Sequence, residues 1–96
     1  MVDTSDSSDL TFSGFVISLA TTAALHFGDI ADPATGRKSE PDLEAAARII
    51  DVLAMLQQKT RGNLIPEEER LVDGLLYELR LRFVQAQEGE KRIIEP

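Results

Sequence analysis

Hydrophobic residues recur at intervals of three and four along three stretches of the chain, the spacing of a helix face. Nowhere do they alternate as strand positions do. The first stretch predicts a helix over residues 12–27, with Thr11 as N-cap and Gly28 just past its end. The second predicts a helix over 41–60. Its start is marked by Ser39 and Asp42 as a capping box, or by Asp42 alone, and Gly62 fits the left-handed position that follows. The third predicts a helix over 66–87, with Pro66 at its first position and Glu67, Glu68 and Glu69 in the first turn, where negative charge suits the dipole. Its cap position, Ile65, has no side-chain acceptor, which weakens the start by about 1 kcal/mol. Pro33 and Gly36 make residues 28–40 a loop. Residues 1–10, rich in Asp and Ser, are expected to be disordered, and residues 89–96 to fray. There is no internal repeat and no sustained heptad pattern. The expected fold class is all-α: a single domain over 11–88, a three-helix up-down-up bundle completed by homo-oligomerisation.

The expectation of a partner copy comes from the faces. In the second helix Leu43, Ala46, Ala47, Ile50, Leu53 and Ala54 form one stripe, widened by Ile49 and Leu56. Glu44, Arg48, Asp51, Gln58 and Lys59 lie opposite, so it is an ordinary amphipathic helix. The third helix has a core stripe of Leu71, Val72, Leu75, Leu76, Leu79 and Phe83. About half a turn away a second stripe, Tyr77, Leu81 and Val84, has Gly74 beside it. The first helix carries no charge at any position. Phe12, Phe15, Val16, Leu19 and Ala23 mark one face, and Gly14, Ile17, Ser18, Thr21, Ala24 and Leu25 the reverse. A helix apolar or small all round is normally buried all round, and two companions do not cover it. Gly14, Ile17, Ser18, Thr21 and Leu25, with Tyr77, Leu81 and Val84, are therefore the expected interface. A homodimer is the commonest closed form, and an unidentified protein partner is the other candidate.

Charge and composition narrow the partners. Ten Lys and Arg against 17 Asp and Glu leave a net charge of −7 over 96 residues. A pI near 4.5 argues against nucleic acid and against an anionic membrane surface. Leu10 to Gly28 is uncharged, but its hydroxyls and His26 dilute it, and no basic or aromatic anchors flank it, so no membrane span is expected. Residues 1–9 hold three Asp and no basic residue, unlike a secretory leader. With no Cys, disulfides, zinc ribbons and thiol chemistry are excluded, and the cytoplasm is the expected location.

Candidate chemistry is sparse. His26, the single imidazole, falls near the end of the first helix on its Phe15–Leu19 side, where a structural role is expected. Asp51, at the edge of the second helix's apolar face, is placed to pair with Arg80 or Arg82. Glu78 and Arg82 are spaced as an i,i+4 pair. Glu67 to Glu69 diverge by about 100° per residue and do not converge on a cation. The loop GDIADPATG lacks the alternating ligands and terminal Glu of an EF-hand. No nucleophile, base and oxyanion donor come together, so no catalytic residue, cofactor or metal is expected. The expected function is a non-enzymatic interaction or scaffold module. The alternative is a helical subunit binding a small apolar ligand near His26, and a weaker one is an enzyme using His26 with Asp51.

Four segments carry a resemblance when taken in order: SLAT from Ser18 to Thr21, ID-LAML over Ile50 to Leu56, KT-GNL over Lys59 to Leu64, and LYELR from Leu76 to Arg80. Over about residues 12–84 the chain resembles a family of small bacterial proteins, the domain of unknown function numbered eighteen forty-four. The family often has Thr where this chain has Ile65, which would supply the missing cap. The resemblance implies a bacterial source and a compact helical protein, and brings no activity or ligand.

Overall fold

A computed structural model of the chain describes residues 10–94, with side chains to residue 89. The expected disorder of residues 1–9 lies outside the described residues. Among the described residues there are three helices: α1 (Phe12–Phe27), α2 (Leu43–Lys59) and α3 (Pro66–Ile94). Each packs against the other two. Among the described residues the one strand-like feature is a single bridge between Ala31 and Lys38. The all-α, up-down-up arrangement is as expected. The end of α1 meets the start of α2 and the far half of α3, and the end of α2 meets the start of α3.

The helix ends follow from local chemistry. Gly14 N–H donates to Thr11 Oγ1 at 2.9 Å, which caps α1. At its other end Gly28 is left-handed, with φ +79°. Gly28 N–H donates to Leu25 O and Asp29 N–H to Ala24 O, both at 3.0 Å, which is the Schellman pattern. Asp42 is the cap of α2: its Oδ1 accepts from Ala45 N–H at 3.1 Å, and helix begins at Leu43, two residues after the expected start. Thr60 closes α2, its Oγ1 donating to Leu56 O at 2.7 Å, and the left-handed Gly62 turns the chain. At Ile65 the capping is better than the side chain suggests. Glu68 reaches back and accepts from Ile65 N–H at 3.1 Å, which is the reciprocal half of a capping box.

The helix α3 runs to Ile94, past the expected end at Gln87. Gly89 is a weak breaker, about 1 kcal/mol less favourable than Ala, and the residues around it are helix formers.

The core is a column of side chains from all three helices. Val16, Ala23 and Phe27 come from α1, Ala46, Ile50 and Leu53 from α2, and Val72 and Leu76 from α3. All but Phe27 belong to the predicted core stripes, and Phe15, placed on the core face from the sequence, is 45% exposed. It lies about 100° round the helix from Val16, far enough to slip off the edge.

Glycine substitutions separate conformation from crowding. A Cβ on Gly28 would lie 2.9 Å from Ser39 O, a backbone atom, on top of the left-handed φ. Gly28→Ala is expected to cost about 2–4 kcal/mol. Gly62→Ala, with φ +87° and open space around it, should cost only about 1–2 kcal/mol. Gly74→Ala, mid-helix and unhindered, should stabilise by about 0.5–1 kcal/mol. Urea unfolding of the three variants checks the order.

Candidate interaction surfaces

The candidate chemical groups do not assemble. His26 is half-buried, and its backbone oxygen accepts from Asp42 N–H at 2.7 Å. Asp51 lies about 13 Å further along α2 from Asp42, by helical rise. It faces α3, lining a cleft with Arg80, Phe83 and Val84. Imidazole and carboxylate therefore sit at different levels of the bundle. Asp32 spends its acceptors on its own loop: Oδ1 takes Ala34 N–H at 2.9 Å, and its backbone oxygen takes Thr35 and Gly36. Among the described residues no group of three or more His, Cys, Asp or Glu is placed to hold a metal ion.

The ion pair is not the expected one. Arg82 pairs neither with Asp51 nor with Glu78. It forks onto Asp29, Nε to Oδ2 at 2.8 Å and Nη2 to Oδ1 at 2.7 Å, with the guanidinium 5.2 Å above the Phe27 ring centre. This clasp ties the first residues beyond α1 to the distal half of α3. The hydrogen bond and the charge of Arg82 hold the Asp29 carboxyl below its usual range, and Asp29 raises Arg82 in turn. Sequence reasoning missed Asp29. It is 53 residues from its partner, and nothing local marks it.

The expected interface residues are on the surface. On α1, Gly14, Ile17, Ser18 and Thr21 are exposed and Leu25 is half-buried. Ile17 is 49% exposed. The hydroxyls of this face turn inward on their own helix: Ser18 donates to Phe15 O at 2.7 Å, Thr21 to Ile17 O and Thr22 to Ser18 O, each at 3.0 Å. What faces outward is therefore methyl and methylene, with no charge.

On α3, Tyr77, Leu81 and Val84 are exposed at 69%, 48% and 49%. They line a shallow groove of about 350 Å³ with Gln57, Asp73, Leu76 and Arg80. No residue of α1 lines it, so the two expected halves of one interface sit on separate surfaces. A cleft of about 400 Å³ lies between Phe27, Pro41 and Leu43 on one side and Arg82, Gln85 and Ala86 on the other. His26 does not line this cleft. No helix is long and apolar enough to cross a membrane among the described residues.

Comparison with known proteins finds a match over residues 9–85 to the family described as Domain of unknown function (DUF1844). No curated protein and no solved structure matches the chain.

The clasp carries a pH signature. A carboxyl depressed in the folded state stabilises above its unfolded pKa, near 3.9, and that stability is lost as pH falls through the folded value. Asp29 and Arg82 are about a third exposed, so solvent screening keeps the pair to about 0.2–1 kcal/mol. Asp29→Asn should be less stable than wild type by that amount at pH 7. The gap should narrow in thermal melts below about pH 4, and shrink in high salt.

Proposed function

Because the chain belongs to this family of unknown function, its role is read from its own surface. We propose that it is a non-enzymatic helical interaction module that works as a homo-oligomer, with the outer face of α1 as the contact between copies. One observation carries this reading: an exposed helix face that holds apolar residues, no charge and no free hydroxyl donor. Each copy has a net charge of −7, so two copies repel wherever charged faces approach. At the α1 face no charge has to be desolvated or opposed. Gly14, Ser18 and Thr21 let a second helix backbone come close, while Ile17 and Leu25 supply apolar area. A stable contact buries on the order of 1,000 Å² or more, so this face is used over its length, from Gly14 to Leu25.

A cytoplasmic setting belongs to the reading, on the strength of a cysteine-free composition. An apolar-ligand role near His26 has less support, because the cleft beside Phe27 is open and His26 is not in its wall.

Sedimentation velocity over a range of concentrations tests the assignment. Wild type should associate. Ser18→Arg puts a charge on the exposed contact face and should weaken association at least about tenfold, or about 1.4 kcal/mol, with unchanged helical circular dichroism. Glu44→Arg, on the exposed side of α2, should leave association as it was. A wild-type chain that stays monomeric throughout overturns the proposal.

A further inference from the structure

On α3, Arg70, Gly74, Tyr77, Leu81, Val84 and Glu88 are all exposed. They follow one another at steps of four, three, four, three and four, the spacing that lets two helices lie side by side along one seam. At about 100° per residue this row is roughly opposite the face of Val72, Leu76 and Phe83 that meets the core. Its middle is apolar: Tyr77, Leu81 and Val84, with Gly74 open, since nothing lies within 4 Å of where its Cβ would be. Its ends carry opposite signs. Arg70 stands at one end and Glu88 at the other, about 27 Å apart by helical rise. In sequence the next step outward is Glu67 before Arg70 and Lys91 after Glu88, again of opposite sign. Arg80 and Asp51, which share a cleft wall on the α2 side, lie off the row.

We infer that a second copy of this chain docks along this row, its α3 antiparallel to the first about a two-fold axis midway between Tyr77 and Leu81. Tyr77 of each copy then meets Leu81 of the other, Val84 fills the open space over Gly74, and Arg70 pairs with Glu88 at both ends. A parallel pair would set Arg70 on Arg70 and Glu88 on Glu88, so the order of the charges selects the antiparallel one. Each chain carries a net charge of −7, yet at this face the contact joins two pairs of opposite charge. Five turns of paired helix are on the scale of the roughly 1,000 Å² that a stable contact needs. The row is separate from the α1 contact, so the two contacts are lost one at a time, and a chain that holds both links copies beyond a dimer.

Sedimentation velocity of the full chain over a range of concentrations tests this, in the Ser18→Arg background that removes the α1 contact. That parent should still form dimers. Arg70→Glu and Glu88→Arg each set like charges at both ends of the seam, and each should weaken the dimer by about tenfold. An equimolar mixture of the two should recover it, because every end then joins Glu to Arg. Recovery on mixing is a result that misfolding of either variant cannot produce. Leu81→Lys, at the apolar middle, should remove the dimer, with helical circular dichroism unchanged. Single charge variants that associate like the parent, a mixture no tighter than its components, or indifference to Leu81→Lys would each overturn the inference. A parent that is monomeric throughout, beside a wild type that associates, overturns it and leaves the α1 contact standing. A parent that associates just as wild type does removes the α1 contact instead, and the charge variants then decide this one alone.

Discussion

Where α1 ends, three separate constraints meet within a few residues. The chain must turn, the turn must be satisfied in hydrogen bonds, and the second helix must be aimed back along the first. Gly28 meets the first with a backbone that a side chain would strain and that Ser39 O approaches too closely for a Cβ. The Schellman bonds meet the second. The third is met by His26 O accepting from Asp42 N–H, which seats the N-cap of α2 directly against the last turn of α1. Arg82 then closes the corner from α3 through Asp29 and the Phe27 ring. The corner and the core column of Val16, Ile50, Leu53 and Leu76 together hold the three axes in place. The bidentate geometry sets direction more than it adds stability, since the pair is partly wet.

The same arrangement leaves the surface unevenly finished. The bundle is three helices around one column, so every helix has an outer side. In α2 that side is charged and hydrated in the ordinary way. In α1 it is uncharged, and its hydroxyls are bound to its own carbonyls, so water gains little from wetting it. In α3 it is a mixed stripe, with Tyr77, Leu81 and Val84 exposed among charged groups of both signs, Asp73 and Arg80 beside them. Apolar exposure of this kind marks contact surfaces in small proteins.

Much of this was legible in the residues. Helix number, type and order follow from periodicity, and the caps at Thr11, Asp42 and Gly28 follow from residue chemistry. The exposed positions Ile17, Ser18, Thr21, Tyr77, Leu81 and Val84 follow from stripes left over after one face of each helix is assigned to the core. The membership of a family also follows from four short segments in order. What failed were judgements that need a third dimension. Phe15 looked like core because the apolar arc of α1 is too wide to show which part of it faces inward. Arg82 looked like a partner for Glu78 because local spacing is all that a linear pattern offers.

The sequence by itself determined which segments are helical, where they begin and which of their faces are greasy, because propensity, capping and periodicity act within a few residues of one another. It also determined the acidity of the chain and the absence of charge along α1. Only the tertiary structure decided that Asp29 answers Arg82, that Glu68 caps Ile65, that His26 and Asp51 lie apart, and that the two apolar stripes belong to different surfaces. Distances between side chains on separate helices depend on how those helices cross and where each loop places the next one. That is settled by packing of the whole column at once, not by any neighbourhood of the chain.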